Sequence, residues 1–165
     1  MTSRLDPKRT QIVFVDLQPS LLSGSRTMTP ERVGRSAAAL AQVGQMLDIP
    51  MLFSVAPQED GDASVIEELR PFATRANTLC RPVAAVFLHP ESIALLKPPE
   101  ERPNLIVVGY ASEVVVHMTI LDGIERRYRV FYAVDAIGSA DARTEAAVFA
   151  DVDAAGGHPT SVSSV

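Results

Sequence analysis

Hydrophobic residues along the chain fall into short β-branched runs that alternate with longer stretches of helical spacing. The run "QIVFVD" (11–16) is compact and ends in an acid, the pattern of a strand buried on both faces. "TPERVGRSAAALAQVGQMLD" (29–48) opens with Thr29 as N-cap and Pro30 at the first helical position. Val33, Ala37, Leu40, Val43 and Leu47 then recur at helical spacing. "IPMLFSVA" (49–56) predicts a second strand, and "DASVIEELRPF" (62–72) a short helix stopped by Pro71. A weaker third strand, "ANTLCR" (76–81), precedes a helix that begins near Pro90 in "HPESIALL". "NLIVVGY" (104–110) is the strongest strand pattern, followed by a helix from about Glu113 to Arg126. "RVFYAVDA" (129–136) adds a fifth strand, and "ARTEAAVFADVDAAGG" (142–157) a last helix closed by glycines. The terminal "HPTSVSSV" (158–165) predicts a short edge strand.

Alternation of this kind predicts an α/β fold: three α/β/α layers around a mostly parallel, Rossmann-like sheet of five or six strands. At 165 residues, the expectation is a single domain over 1–165. Ligands of such sheets bind beyond the C-terminal strand ends, near the reversal of strand order. Candidate positions are therefore Asp16 and Gln18, the residues from Ala56 to Asp60, Cys80 and Arg81, Tyr110 to Val115, and Asp135 to Ser139. Three doubly wound classes fall. The first turn, "DLQPSLLSG", holds no G-x-G-x-x-G, and no P-loop follows any strand. A phospho-receiver needs paired acids after the first strand and an acceptor Asp after the third. Asp16 stands alone, and the third strand ends in Cys-Arg.

Composition narrows the function further. A net charge of −5 without a basic stripe argues against nucleic acid. No apolar run is long enough to span a membrane, and "MTSRLDPKRTQ" does not read as a signal peptide. One cysteine, Cys80, cannot form a disulfide framework, so the expected compartment is the cytoplasm. His89, His117 and His158 show no ligand spacing, and no metal or other cofactor is expected. Glu59, Asp60 and Asp62 can at most hold a weak hard cation, and a solvated acidic loop is the ordinary reading.

In this order and spacing the motifs resemble the isochorismatase-like, or cysteine-hydrolase, superfamily. "IVFVDLQ" is similar to its opening strand, which ends in a hydrophobic-Asp-x-Gln signature. "LIVVGYASEVVVHMTILDGIERRYRVFYAVDAIGS" resembles its most diagnostic block: strand, Gly, Ser/Thr followed by an acid, helix, Tyr, strand, Asp-Ala. "CRP" ahead of "VAAVFLHPESIALL" looks most like the branch of small oligomeric hydrolases. In cysteine-hydrolase members the first acid deprotonates a cysteine at the helix start, and a lysine after the third strand stabilises charge. Such a helix N-terminus lowers a thiol pKa and can stabilise an oxyanion. Carried over residue by residue, Asp16 matches the acid, Arg81 the cation and Val115 the nucleophile position. Valine has no nucleophilic atom. The resemblance offers a second route, that of members lacking the cysteine, in which the acid protonates its substrate before water attacks.

The remaining residues divide between site and scaffold. Gln18, Tyr110, Ala111, Ser112 and Phe87 are candidate substrate contacts, and the resemblance implies a cis peptide near Ala111–Ser112. Against these stand plainer readings: Ser112 as an N-cap, Tyr110 and Phe87 as packing, Glu113 favouring the helix dipole. Asp135 reads as a bonder of loop amides, His117 as a packing or interface residue, and Cys80 as a small apolar residue of a buried strand. The function expected is a family hydrolase of a small polar metabolite, cysteine-independent and with impaired or altered activity. The alternative is an inactive member that binds a ligand or serves assembly. The resemblance also implies a homodimer or higher homo-oligomer.

Overall fold

The computed structural model describes residues 5–59, 61 and 63–165. Asp60 and Asp62, two of the three acids weighed as a weak cation site, lie outside the described residues. Six strands form one sheet: β1 (Thr10–Val15), β2 (Met51–Val55), β3 (Thr78–Cys80), β4 (Asn104–Tyr110), β5 (Arg129–Gly138) and β6 (His158–Thr160). Their order is β3-β2-β1-β4-β5-β6 and every pairing is parallel. The expected α/β class holds, and the terminal segment supplies the sixth strand.

Strand periodicity divides the core. Ile12 and Phe14 of β1 join Phe53, Ile106 and Val108 on one face, where Phe14 stacks on Phe53 at 4.7 Å between ring centroids. Val13 and Val15 join Leu105, Val107, Val130 and Tyr132 on the other. Helix α2 (Pro30–Met46) covers the first face through Val33, Ala37, Leu40 and Ala41. Thr29 caps it, its side chain accepting from the Arg32 amide, and Pro30 occupies the first turn as expected. Over the second face lie α4 (His117–Glu125) and α5 (Ala142–Ala155), with Ile120, Val148 and Val152 buried. Two short helices, α1 (Pro19–Leu22) and α3 (Pro90–Leu95), complete the layers.

Three local expectations are corrected. The segment at 63–72 makes only a 3-10 turn, Glu67–Leu69, because Pro71 has no N–H to carry the helical ladder onward. The fourth crossover helix starts as a π-turn, Ser112–Val116, in which the Val116 amide reaches back to the Ala111 carbonyl at 3.3 Å. Cys80 is exposed, since β3 is an edge strand covered on one side only.

Candidate functional site

Strand order reverses between β1 and β4, and the site is built where these two strands end. Asp16 leaves β1 with φ 49°, a left-handed conformation that Asp tolerates better than most residues. Its amide still donates to Ser54 of β2 at 2.9 Å, while its carbonyl accepts from the Gln18 amide at 2.9 Å. The chain thus turns sharply with the carboxylate left at the head of the sheet. Beside it β4 passes through Gly109, where a Cβ would lie 2.0 Å from the Val15 carbonyl oxygen and φ is 146°. Only glycine fits that approach.

Arg81 follows β3, held by its amide on the Val55 carbonyl at 2.9 Å. Its Nη2 donates to Asp16 Oδ1 at 2.6 Å and its Nη1 donates to the Val83 carbonyl. Their side chains keep only 12% (Asp16) and 3% (Arg81) of their surface exposed. Burial pushes the Asp16 carboxyl above its ordinary value, and the charge and hydrogen bond of Arg81 pull back only in part. Arg81 Nε is buried without a protein partner among the described residues. The pair therefore makes Asp16 a stronger proton acceptor than a free carboxylate, sets a fixed positive charge next to it, and offers one unused N–H.

The other candidates separate. Val115 lies in the π-turn, 1% exposed, in one cluster with Val13, Val15, Val86 and Ile137. Gln18 is 1% exposed, and its amide clamps Ala56: Nε2 donates to the carbonyl at 2.9 Å and Oε1 accepts from the amide at 2.7 Å. Tyr110 is half-buried and directed at the loop after α1, its hydroxyl 2.6 Å from where a Gly24 Cβ would stand. Phe87 packs instead against Tyr128 and under Arg126, next to Gly123, Leu105 and Val130. Leu105 and Val130 lie near the starts of their strands, so Phe87 is at the opposite end of the sheet from Asp16. Ala111 is half-buried, and the Tyr110–Ala111 peptide bond is cis, one bond before the place the resemblance indicated.

Ser112 is not an N-cap; its hydroxyl donates to Glu113 Oε2 at 2.9 Å. Glu113 does more than face the helix dipole. It also accepts from Ser139 Oγ at 2.7 Å and from the Ala140 amide at 3.3 Å, tying the β4 and β5 exits together. Burial alone would push this carboxyl up, but the bonds from Ser139, Ser112 and backbone amides hold it below its ordinary value. Ser139 also takes the loop after α1, accepting at its carbonyl from the Arg26 amide at 2.7 Å. Residues 135–139 stand among the candidate strand-end positions, but the pairing of Ser139 with Glu113 leaves no local signature, because the two lie far apart in sequence. Asp135 accepts from the Val162 amide at 2.9 Å, a loop-amide bond as expected. His117 pairs with Asp151 of α5 at 2.7 Å.

Residues 10–164 match the sequence model of a family described as Isochorismatase domain. The probable hydrolase YcaC of Escherichia coli K12 is 24% identical over 136 residues, covering 82% of this chain and 65% of that protein. The chain thus spans just under two thirds of that relative's length. Among solved structures, YcaC from Pseudomonas aeruginosa, with hexane-2,5-diol and covalent acrylamide, superposes with a TM-score of 0.91 at 25% identity. That match covers 100% of this chain and 82% of the other. The YcaC structure from Escherichia coli, described as an octameric hydrolase of unknown specificity, gives 0.90 at 23% identity, with 98% and 79% covered. The MAR1 ribonuclease of Caenorhabditis elegans gives 0.84 at 21% identity, with 98% and 81% covered. No helix among the described residues is long and apolar enough to cross a membrane.

Proposed function

This chain belongs to the isochorismatase domain family, and from that premise we propose that it hydrolyses a small polar metabolite without a cysteine nucleophile, using Asp16 and Arg81. One observation carries the reading: a carboxylate desolvated at the switch point, with its pKa raised, paired to a buried guanidinium. Such a pair is expensive to bury and weak evidence for stability, whereas a carboxyl whose pKa is raised is suited to proton transfer. In the proposed step, protonated Asp16 gives its proton to the leaving atom of the substrate and water adds to the carbon. The carboxylate then recovers a proton from that water, and Arg81 balances negative charge throughout. The step draws its proton from Asp16 and its nucleophile from water, and so calls on no metal or cofactor. On this acid route, rate falls as pH rises through the raised pKa of Asp16.

A second reading is favoured by Val115. A β-branched side chain buried in the core at the position assigned to the nucleophile gives no attacking atom and takes up space there. On that reading the chain is a silenced hydrolase that binds a ligand or serves assembly. Either way we place it in the cytoplasm as a homodimer or larger homo-oligomer, with a small molecule as substrate or ligand and neither nucleic acid nor membrane as partner. The octameric description of the Escherichia coli relative supports the assembly.

The deciding experiment is turnover of small amides, N-carbamoyl compounds and isochorismate by wild type, Asp16→Asn and Val115→Cys. Turnover by wild type that Asp16→Asn abolishes establishes the cysteine-free hydrolase. Activity gained only in Val115→Cys sinks it and establishes the silenced one.

A further inference from the structure

A separate cavity of about 460 Å³ opens between the segment at 63–65, the turn at 70–75 and the outer edge of β3, and shares no lining residue with the Asp16–Arg81 pair. Arg70 and Arg75 line it, and neither guanidinium has a hydrogen-bond or ion-pair partner among the described residues. Two arginines without an ion-pair partner among the described residues thus share one concavity in a chain of net charge −5.

The neighbouring hydroxyls are already committed. Asn77 Oδ1 accepts from the Thr74 amide at 2.7 Å, from Thr74 Oγ1 at 3.1 Å and from Thr78 Oγ1 at 3.3 Å. Asn77 Nδ2 donates to the Phe72 carbonyl at 3.1 Å, and the Asn77 carbonyl accepts from the Phe53 amide at 2.8 Å. The turn carrying both arginines is therefore stapled to itself and to β2, so little backbone order remains to be gained when a ligand binds. What stays free on it are two forked donors suited to a carboxylate or phosphate.

The lining is not polar throughout, although Ser64, Thr74 and Thr78 belong to it. Ala63, Val65 and Ala73 line the same space, and Val65 belongs to the core. Inorganic phosphate would leave that wall wetted by water alone. An anion with a short apolar body would cover it while its head group met the arginines.

We propose that this cavity binds a small organic anion, its carboxylate or phosphate on Arg70 and Arg75 and its apolar body against Ala63, Val65 and Ala73. The site reaches β3 at Thr78, three residues ahead of Arg81, so occupancy stiffens the strand that presents the buried cation.

The test is a titration of isotopically labelled protein with butyrate, phenyl phosphate and inorganic phosphate, read at the Val65, Ala73 and Thr78 amides. Both organic anions should give saturable shifts at affinities at least about fivefold tighter than inorganic phosphate. A preference between the two identifies the head group. The double variant Arg70→Gln/Arg75→Gln should weaken binding roughly tenfold or more with an unchanged thermal midpoint, and Arg143→Gln should change nothing. Absence of saturation, equal affinity for inorganic phosphate, or undiminished binding by the double variant would each overturn the proposal. Because no turnover is read, a negative result here leaves the Asp16 chemistry untouched.

Discussion

At the scale of single residues, the site is defined by what can stand at two positions. Gly109 lets β4 pass β1 so closely that any Cβ meets the Val15 carbonyl, in a backbone region closed to side chains. Gly109→Ala should therefore cost about 3 kcal/mol or more through clash and strain together, read as a drop in the urea midpoint. Asp16 has the opposite character, a charge held where solvent is scarce. Its native pKa is raised, so protons bind more tightly to the folded than to the unfolded chain. The stabilisation from that proton is complete below the unfolded value of about 3.9 and is lost as pH rises through the native value. Asp16→Asn has no proton to lose. Wild-type stability relative to Asp16→Asn should thus fall as pH climbs from about 4 through the raised native pKa. A flat difference in urea unfolding across that range would show that Arg81 fully offsets the burial.

At the scale of elements, β1 is locked at both ends by glutamine amides. Gln11 holds Lys97, donating to its carbonyl at 2.8 Å and accepting from its amide at 2.9 Å, as Gln18 holds Ala56. Gln18→Leu should lower stability by about 2 to 4 kcal/mol, because a backbone donor and acceptor at the strand exit lose their partner. A variant with wild-type thermal midpoint but impaired ligand binding would return Gln18 to the list of substrate contacts. These elements were unequally legible. β1 reads directly from its apolar run because every position is buried, and α2 from Thr29-Pro30 and its periodicity. Asp16 and Arg81 were legible as strand-end residues of opposite charge, and they do meet. The π-turn was not legible, since one inserted residue does not disturb a helical apolar pattern over so short a span. For Phe87 the sequence left pocket and packing both open, since its partners Tyr128 and Arg126 lie on a later segment and are fixed only by tertiary packing. Cys80 was read as core from its strand, but burial there depends on a neighbouring strand that β3 lacks.

At the scale of the molecule, the question is where a second copy would sit. The sheet itself offers little. Its edges, β3 and β6, are three residues each, too short for continuous pairing between subunits. Apolar surface points elsewhere: Leu88 is 58% exposed, Leu95 is 41% exposed, and both belong to the segment between β3 and β4. The same segment borders a cavity of about 400 Å³ floored by Phe87, Ile93 and Leu96. Association through this segment would cover exposed leucines that sheet extension would leave in solvent. If the proposed homo-oligomer forms there, sedimentation should give a mass at least twice the 17.7 kDa of the chain. Leu88→Glu with Leu95→Glu should return it to the monomer without unfolding it, since both side chains already face solvent in the isolated subunit. A monomeric wild type would remove assembly from the proposed function. An oligomer indifferent to both substitutions would move the interface to another face, with Val114, 50% exposed beside the π-turn, the next position to charge.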